Sequence, residues 1–510
     1  MYPYRLHQEM HYKKEWEEEY KSKLVSAEEA VRVVKSGDFV ATPLPPQPLL
    51  LQSKLAERAP ELRNVTIQLA APVQNPGWFS PGMEESFNPV IELFIAALVR
   101  PAHDDKRTTY SPVSFSTQFK TIDENRPEKR EVDVFMTPVS PPDRNGFCYF
   151  GPHMWNKRSY AKRAKKVIVE VDANIPKMCG DNAIHVSEID YFVENTVPMA
   201  TSDDVRAFVN AVEPAERRAS VEEFMRRMYR TRPDMTGMLM EAVGPWFEDP
   251  NFDIWSIAGV AGIEEASPAA RGIAENLKEI IQDGDSFNIG VGRPSLYMVD
   301  LGVFDEKHDL GIFTEMGCMG LCLLVKRGIV TGKYRTIHTG KAVFSTLTGC
   351  STEDIEFAAE NPTFEVYDSE YVANICNTAK IENMVAINNG LQVDLTGQIC
   401  SETQFGPRMI NGQGGQLEMH IGAFLAKGGR ACTLLPSTAL AGAASTIVPQ
   451  LEKGSLVTIQ RHFADIIITE HGIARLAGKN HRERANELIG VAHPDFRAEL
   501  KKEAQKLFYP

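Results

Sequence analysis

Positive charge is in short supply in this chain of 510 residues: 55 Lys and Arg stand against 68 Asp and Glu, a net charge of −13. With a pI near 5.5, that balance argues against a general nucleic-acid binder or a polybasic membrane-surface protein, both of which need clustered cations. Cysteine is scarce as well. Eight residues are too few for a disulfide framework and suit a reducing cytoplasm. Long apolar runs are missing: the longest, near Ile91 to Val99, contains Glu92 and falls far short of the ~20 residues of a membrane span. The stretch Met1 to Lys23 is rich in charge and has no apolar segment of the kind that directs secretion. A cytoplasmic protein with no membrane partner is therefore expected. Cys318 and Cys322 lie four apart and could share a helix face, but no matching His or Cys pair accompanies them, so no metal is expected.

What is present is ordinary soluble composition, 43% hydrophobic and 24% charged, with length for about three domain-sized units. Internal echoes sharpen that count. Residues 24–40 read as a helix capped by Ser26 and Glu29, a break at Ser36-Gly37-Asp38, and a strand from Phe39. The same phrase returns as a helix over 273–281, a break at Asp283-Gly284-Asp285 and a strand over Ser286 to Ile289. Asp143-x-x-Gly146 then echoes in Asp394-x-x-Gly397, Phe150-Gly151-Pro152 in Phe405-Gly406-Pro407, and Asp190 to Glu194 loosely in Asp465 to Glu470. Four echoes in one order point to a duplicated domain. The runs at 166–171 and 464–468 are continuous and β-branched, which suits parallel strands covered on both faces. The fold class is therefore α/β: two similar, open, mostly parallel α/β domains. Expected boundaries are a charged extension over 1–23, a first domain over 24–199, a helical insertion over 200–272 and a second domain over 273–510. Within the insertion, Ser220 and Glu223 predict a capped helix with Val221, Phe224, Met225 and Met228 on one face and Arg226, Arg227 and Arg230 on the other.

Three features of the second half carry candidate chemistry. Gly290-Val291-Gly292-Arg293-Pro294 follows a strand and leads into an apparent helix through Val299. Such a turn lets backbone N–H groups approach a phosphate, although a tight structural turn fits equally well. Asn411-Gly412-Gln413-Gly414-Gly415-Gln416 is poor helix or strand material and could present donors to an oxyanion, or be a plain flexible loop. Glu315 follows an apolar run read as a strand over 310–314. It would then emerge at the carboxyl end of that strand, where open α/β sheets place ligands. The matching first-half stretch, Val65 to Val73, has no acidic residue.

Several phrases together carry a resemblance: Val139-Ser140-Pro141-Pro142-Asp143, His185 to Tyr191, Thr314-Glu315-Met316, Val393 to Gln398, Gly414-Gly415-Gln416, Pro436-Ser437-Thr438-Ala439 and Ala492 to Arg497. In these the chain resembles the acetyl-CoA hydrolase/transferase family, the class I acyl-CoA:carboxylate CoA-transferases that include 4-hydroxybutyrate CoA-transferases. The resemblance implies two similar α/β domains with a site at their cleft. It implies that Glu315 is a nucleophile forming acyl-glutamyl anhydride and glutamyl-CoA thioester intermediates. It also implies that Gly290, Val291, Gly292, Arg293 and Pro294 contact CoA, and that Gly412, Gly414, Gly415 and Gln416 serve bound CoA and its oxyanions. Glu470 matches a second glutamate near the site, and Asn388 a carboxylate-binding position, with Asn389 beside it.

The expected partners are acyl-CoA and a carboxylate acceptor, with coenzyme A a substrate rather than a tightly bound cofactor, in a homodimer or larger homo-oligomer. Two alternatives stand beside transfer: hydrolysis of acyl-CoA by the same glutamate, and a non-catalytic acyl-CoA-binding or scaffold protein. The chain also departs from the family pattern. Leu440 and Ala443 occupy positions where relatives carry lysines, so Lys427 or Arg293 is expected to meet the CoA phosphates instead. The first-half glycine turn is replaced by the proline-rich segment 42–48. The 200–272 insertion also exceeds the linker of relatives.

Overall fold

The computed structural model describes residues 15–42, 44–72, 75–95, 99–195, 201–231, 265–318 and 320–510, with positions 236, 237, 240, 247 and 254. Residues 1–14 of the expected extension, Pro43 of the proline-rich segment and much of the expected insertion lie outside the described residues. The chain forms two compact units, the described parts of Met1–Ile263 with Ile355–Glu370, and of Glu264–Asp354 with Tyr371–Pro510.

In the first unit, seven strands form one sheet: β1 (Phe39–Thr42), β2 (Val65–Leu69), β3 (Phe87–Ile91), β4 (Thr109–Tyr110), β5 (Val134–Val139), β6 (Lys166–Val171) and β7 (Tyr191–Glu194). Their order is β4-β3-β2-β1-β5-β6-β7, and every pairing is parallel. β2 and β5 are buried along their whole length, as expected when both faces of a parallel sheet are covered. Helix α1 (Leu49–Ala56) follows β1. The capped turn expected at Ser26 forms, with its hydroxyl accepting from Glu29 N–H at 3.2 Å. The 355–370 stretch is stitched to this unit: Val366 N–H donates to the Cys179 carbonyl (2.8 Å), and buried Asp368 accepts from Ser159 N–H (2.6 Å).

Helices α2 (Ser202–Ala211) and α3 (Arg218–Thr231) pack Val205, Val209, Val221, Phe224, Met225 and Met228 into a local core. α3 begins two residues ahead of Ser220, so that serine lies inside the helix and does not cap it. On the arginine face Arg226 is exposed and Arg227 half-buried, both binding Glu223.

The second unit opens with α4 (Pro268–Lys278), capped by Ser267, whose hydroxyl accepts from Ala270 N–H. Its strands are β8 (Ser286–Ile289), β9 (Gly311–Cys318), β10 (Ala342–Gly349), β11 (Met384–Asn389), β12 (Arg430–Leu434), β13 (Ile466–Thr469) and β14 (Gly472–Arg475). They run in the order β10-β9-β8-β11-β12-β13-β14, parallel except for the β13–β14 hairpin. Six strands in a row repeat the first sheet: β10-β9-β8-β11-β12-β13 corresponds to β3-β2-β1-β5-β6-β7.

Three of the four echoes seen in the sequence are repeated hydrogen bonds. Asp38 accepts from Lys35 N–H at 2.8 Å and Asp285 from Gln282 N–H at 2.7 Å. Asp143 accepts from Asn145 and Phe147 N–H, and Asp394 from Thr396 and Gln398 N–H, each closing a turn on a left-handed glycine, Gly146 (φ 81°) or Gly397 (φ 96°). Asp190 accepts from Val167 N–H and Asp465 from Ala431 N–H, both at 2.9 Å. These carboxylates satisfy backbone donors that the sheet leaves open, a reason for Asp at each point. Among the described residues no helix is long and apolar enough to cross a membrane.

Candidate active site

Parallel strands bring all their carboxyl ends to one edge of a sheet, and in the second unit that edge gathers most of the candidate residues. β9 and its neighbour β10 are the long strands, eight residues each. The sequence reading stops β9 at 314, yet it runs to Cys318, paired with β10 through Thr314↔Phe344 and Met316↔Thr346, with a register shift before Cys318. β8 ends at Ile289, beside Thr314, whose hydroxyl lies 3.3 Å from the Ile289 N–H. Glu315 thus sits on a rigid strand just beyond the point where its β8 neighbour stops. Cys318 closes that strand while Cys322 lies in the helix Leu321–Lys326, so the two thiols do not share a helix face.

Glu315 is 7% exposed. Its Oε1 accepts the Gly415 N–H at 3.0 Å, and its Oε2 is buried with no hydrogen-bond partner among the described residues. Burial first, and the charge of Glu418 second, push its pKa up to about 8, against the Gly415 hydrogen bond, which lowers it. Gly415 is the N-cap of helix α5 (Gln416–Leu425), so a carboxylate here faces the positive end of a helix dipole. Its φ of −87° is open to any residue; space demands the glycine. A Cβ at 415 would fall 2.5 Å from Glu315 Oε1 and overlap the rest of the carboxyl.

The 411–416 loop is not loose. Gly412, Gly414, Gly415 and Gln416 are buried, and Ile410 and Asn411 N–H both donate to the Glu402 carbonyl. The Gln416 side-chain nitrogen is buried without a hydrogen-bond partner among the described residues.

The 290–294 loop leaves β8 beside the end of β11, where Asn388 and Asn389 sit. Asn389 accepts from Ser295 N–H (3.0 Å) and donates to Ser295 Oγ (2.7 Å). The Ser295 hydroxyl in turn donates to the Gly290 and Gly292 carbonyls. Gly292 leaves no room beyond hydrogen, since a Cβ there would stand 2.7 Å from Asn389 Nδ2. Val291 is half-buried and Arg293 exposed, with Pro294 buried behind them. The segment after the loop is a single 3₁₀ turn, Ser295–Tyr297, in place of the expected helix. Asn388 is 5% exposed, and its amide nitrogen has no hydrogen-bond partner among the described residues. Adjacent asparagines thus differ: Asn389 locks the loop, and Asn388 holds an unused donor.

Glu470 directly follows β13 at the same edge, two strands beyond β11. Both its oxygens are taken by Ser437, from N–H at 2.9 Å and from Oγ at 2.6 Å. His471 Nε2 lies 3.8 Å from it. His185 and His493 cap the turns that follow them, each ring accepting a backbone N–H. Lys427 lies elsewhere: it pairs with Glu382 at 3.1 Å, in the turn before β12 at the opposite edge of the sheet, so it is not near the Glu315 edge. At 438–445 a short hairpin carries Leu440 and Ala441, both left-handed (φ 52° and 54°), with Leu440 exposed.

Comparison with known proteins places this architecture. The acetyl-CoA hydrolase/transferase N-terminal domain matches residues 8–201 and the C-terminal domain of the same name matches 351–504. The chain is 34% identical over 496 residues to a 4-hydroxybutyrate coenzyme A transferase of Clostridium kluyveri, covering 97% of this chain and 100% of that one. The chain belongs to the acetyl-CoA hydrolase/transferase family. Solved structures agree. RipA from Yersinia pestis superposes with a TM-score of 0.76 at 27% identity, over 97% of this chain and 99% of RipA. A 4-hydroxybutyrate CoA-transferase from Porphyromonas gingivalis gives 0.70 at 26% identity, over 97% of this chain and 100% of its own. In this family member Glu315 lies between the two matched segments, in neither of them.

Sequence reasoning missed Glu418, Ser295 and Ser437. Glu418 carries no motif of its own, and the serines act through contacts more than thirty residues away. Its position three residues after Gly415 was the one available signal for Glu418.

Proposed function

We propose that this enzyme moves coenzyme A between an acyl-CoA and a free carboxylate through covalent intermediates on Glu315. The observation that carries the proposal is the Glu315 carboxyl: buried on a strand, held through Oε1 by Gly415 N–H, and with Oε2 lacking a hydrogen-bond partner among the described residues. Ionised Glu315 attacks the thioester carbonyl, the C–S bond breaks, and CoA leaves as thiolate from an acyl-glutamyl anhydride. The thiolate attacks the glutamyl carbonyl of that anhydride, releasing the donor acid as carboxylate and leaving a glutamyl-CoA thioester. An incoming carboxylate reverses the two steps and departs as acyl-CoA. Thioester and anhydride are close in energy, so one difficult exchange becomes several easier ones.

Each tetrahedral intermediate at the glutamyl carbon develops negative charge on an oxygen of Glu315, and Gly415 N–H stands ready to receive it. Buried Gln416 and Asn388 each hold an amide nitrogen without a hydrogen-bond partner among the described residues, donors suited to an oxyanion and to the carboxylate of the acid. The loop over Gly290, Val291, Gly292, Arg293 and Pro294, fixed by Asn389, is the CoA-binding turn in this reading. Glu470, held by Ser437, serves as the second carboxylate of the edge. The names of the relatives, CoA transferases for 4-hydroxybutyrate, support the substrate class.

The test is to incubate the protein with butyryl-CoA or acetyl-CoA, trap with hydroxylamine or borohydride, and map the modified peptide. Modification at Glu315 is expected, together with CoA transfer to an added small acid such as acetate or 4-hydroxybutyrate. Full turnover by Glu315→Ala would sink the covalent reading. CoA release that needs no acceptor acid, at the rate of transfer, would replace transfer by hydrolysis.

A further inference from the structure

Two carboxyl groups meet at one helix end. α5 has Gly415 as its N-cap and Glu418 as its third residue. A glutamate in that position ordinarily reaches back to accept from the N-cap amide. Here that amide donates to Glu315 instead, at 3.0 Å. The Glu315 carboxyl also fills the space a side chain at 415 would take, because a Cβ built there would lie 2.5 Å from Oε1. Positions 415 and 418 are i,i+3 neighbours, whose Cβ positions lie about 5–6 Å apart on one helix face. Glu418 is fully buried and Glu315 nearly so. Like charges that close, out of water, do not both ionise readily.

We propose that Glu418 is a positioning residue that carries the first negative charge at this helix end, so that Glu315 keeps its proton in the free enzyme and Glu418 sets the pH at which the nucleophile ionises. The proposal rests on Glu315 being the nucleophile. One charge, instead of two, then meets the anionic acyl-CoA and acid. The second ionisation releases its proton to solvent, and the resulting Glu315 carboxylate is the attacking form.

Neighbouring groups leave the role to Glu418. On β9, burial holds the Cys318 thiol protonated. On α5, burial pushes His420 down to about 4 and its ring is bonded to the Phe463 carbonyl. Asp285, beside β8, pairs with Arg430 at the start of β12, and Asp465 accepts Ala431 N–H; both lie at the far edge of the sheet. Cys376, in the short helix against α5, is exposed. Glu470, just after β13, is saturated by Ser437.

The experiment follows the pH dependence of two readouts, kcat/KM for acyl-CoA and the rate of hydroxylamine-trappable labelling at residue 315, in the wild type and in Glu418→Gln. The wild-type midpoint is expected near 8. In Glu418→Gln it should fall by about one to two pH units, making labelling at pH ~6 at least about tenfold faster relative to its own plateau. Glu418→Asp, which keeps the charge, should retain the wild-type midpoint. A merely structural role would lower the plateau in both variants and leave the midpoint in place. An unmoved midpoint in Glu418→Gln, with label still at Glu315, overturns this proposal and leaves the function standing. Absence of any label at Glu315 in the wild type overturns the function itself. A wild-type midpoint in the ordinary carboxyl range overturns the proposal even if Glu418→Gln does not fold.

Discussion

Replacing Gly415 by alanine adds one carbon, and the geometry states where it goes. The new Cβ would sit 2.5 Å from Glu315 Oε1, against an ordinary contact limit of 3.4 Å, so the carboxyl must retreat by about 0.9 Å on that side and further on the other. What yields is the far end of a flexible side chain, because the backbone at 415 already has a φ that alanine adopts. The fold should therefore survive. An N-cap glycine exchanged for alanine costs about 1 kcal/mol or less, a shift of no more than about 4 °C in Tm for a chain this long. Catalysis should not survive. A misplacement of about 1 Å can cost a hundredfold, and weakening a donor aimed at a developing oxyanion costs about 10²–10³ in kcat. Since one movement causes both losses they will not add in full, and a fall in kcat of about 10²–10³ is expected with KM for acyl-CoA changed by less than about tenfold. Steady-state kinetics with thermal melts on the same preparation decide the matter. An alanine variant within about fivefold of wild-type kcat would refute the placement of Glu315 against this helix end.

Two further outcomes follow from the same site. Glu315 has a folded-state pKa raised to about 8 from an ordinary 4.5, so the folded protein holds a proton there that the unfolded chain gives up. Its contribution is full below pH ~4.5 and is lost as pH rises through about 8, on the order of a few kcal/mol; denaturant melts of Glu315→Gln should lose less stability over that window than the wild type, and parallel curves would count against the shift. Asn389→Ala removes the two bonds to Ser295 that fix the 290–294 loop. KM for acyl-CoA should rise at least about tenfold while Glu315 labelling at saturation stays within severalfold, and an unchanged KM would remove this loop from CoA binding.

The duplication was legible because its signals are local. An aspartate that closes a turn on a left-handed glycine needs both residues within four positions, and Asp143-x-x-Gly146 and Asp394-x-x-Gly397 keep that spacing. The β-branched run at 166–171 announced its strand for the same reason. Glu315 was legible as a lone acid beside apolar neighbours, but the strand holding it was read too short. Met316, Gly317 and Cys318 are weak strand formers alone, and pairing with β10 overrides that preference. Lys427 attracted attention as a cation, and only the strand direction shows which edge it occupies. The meeting of Glu315 with Gly415 spans a hundred residues, and no periodicity encodes it.

The overhang of β9 beyond β8 has a consequence for how such an enzyme diversifies. Pairing registers equate Glu315 with Ala70 of the first unit, since Ser286↔Gly311 matches Phe39↔Thr66. One copy of the architecture thereby carries no counterpart of the Glu315 carboxyl and can change without touching it. In the other copy Glu315, the nucleophile we propose, stands on a strand, where it cannot drift, while the surfaces proposed to meet the acid and the CoA are loops. New acid preferences are then reached by altering 290–295 and 411–414 around a stationary Glu315, and libraries confined to those two stretches should change which acids react while the labelled residue stays the same.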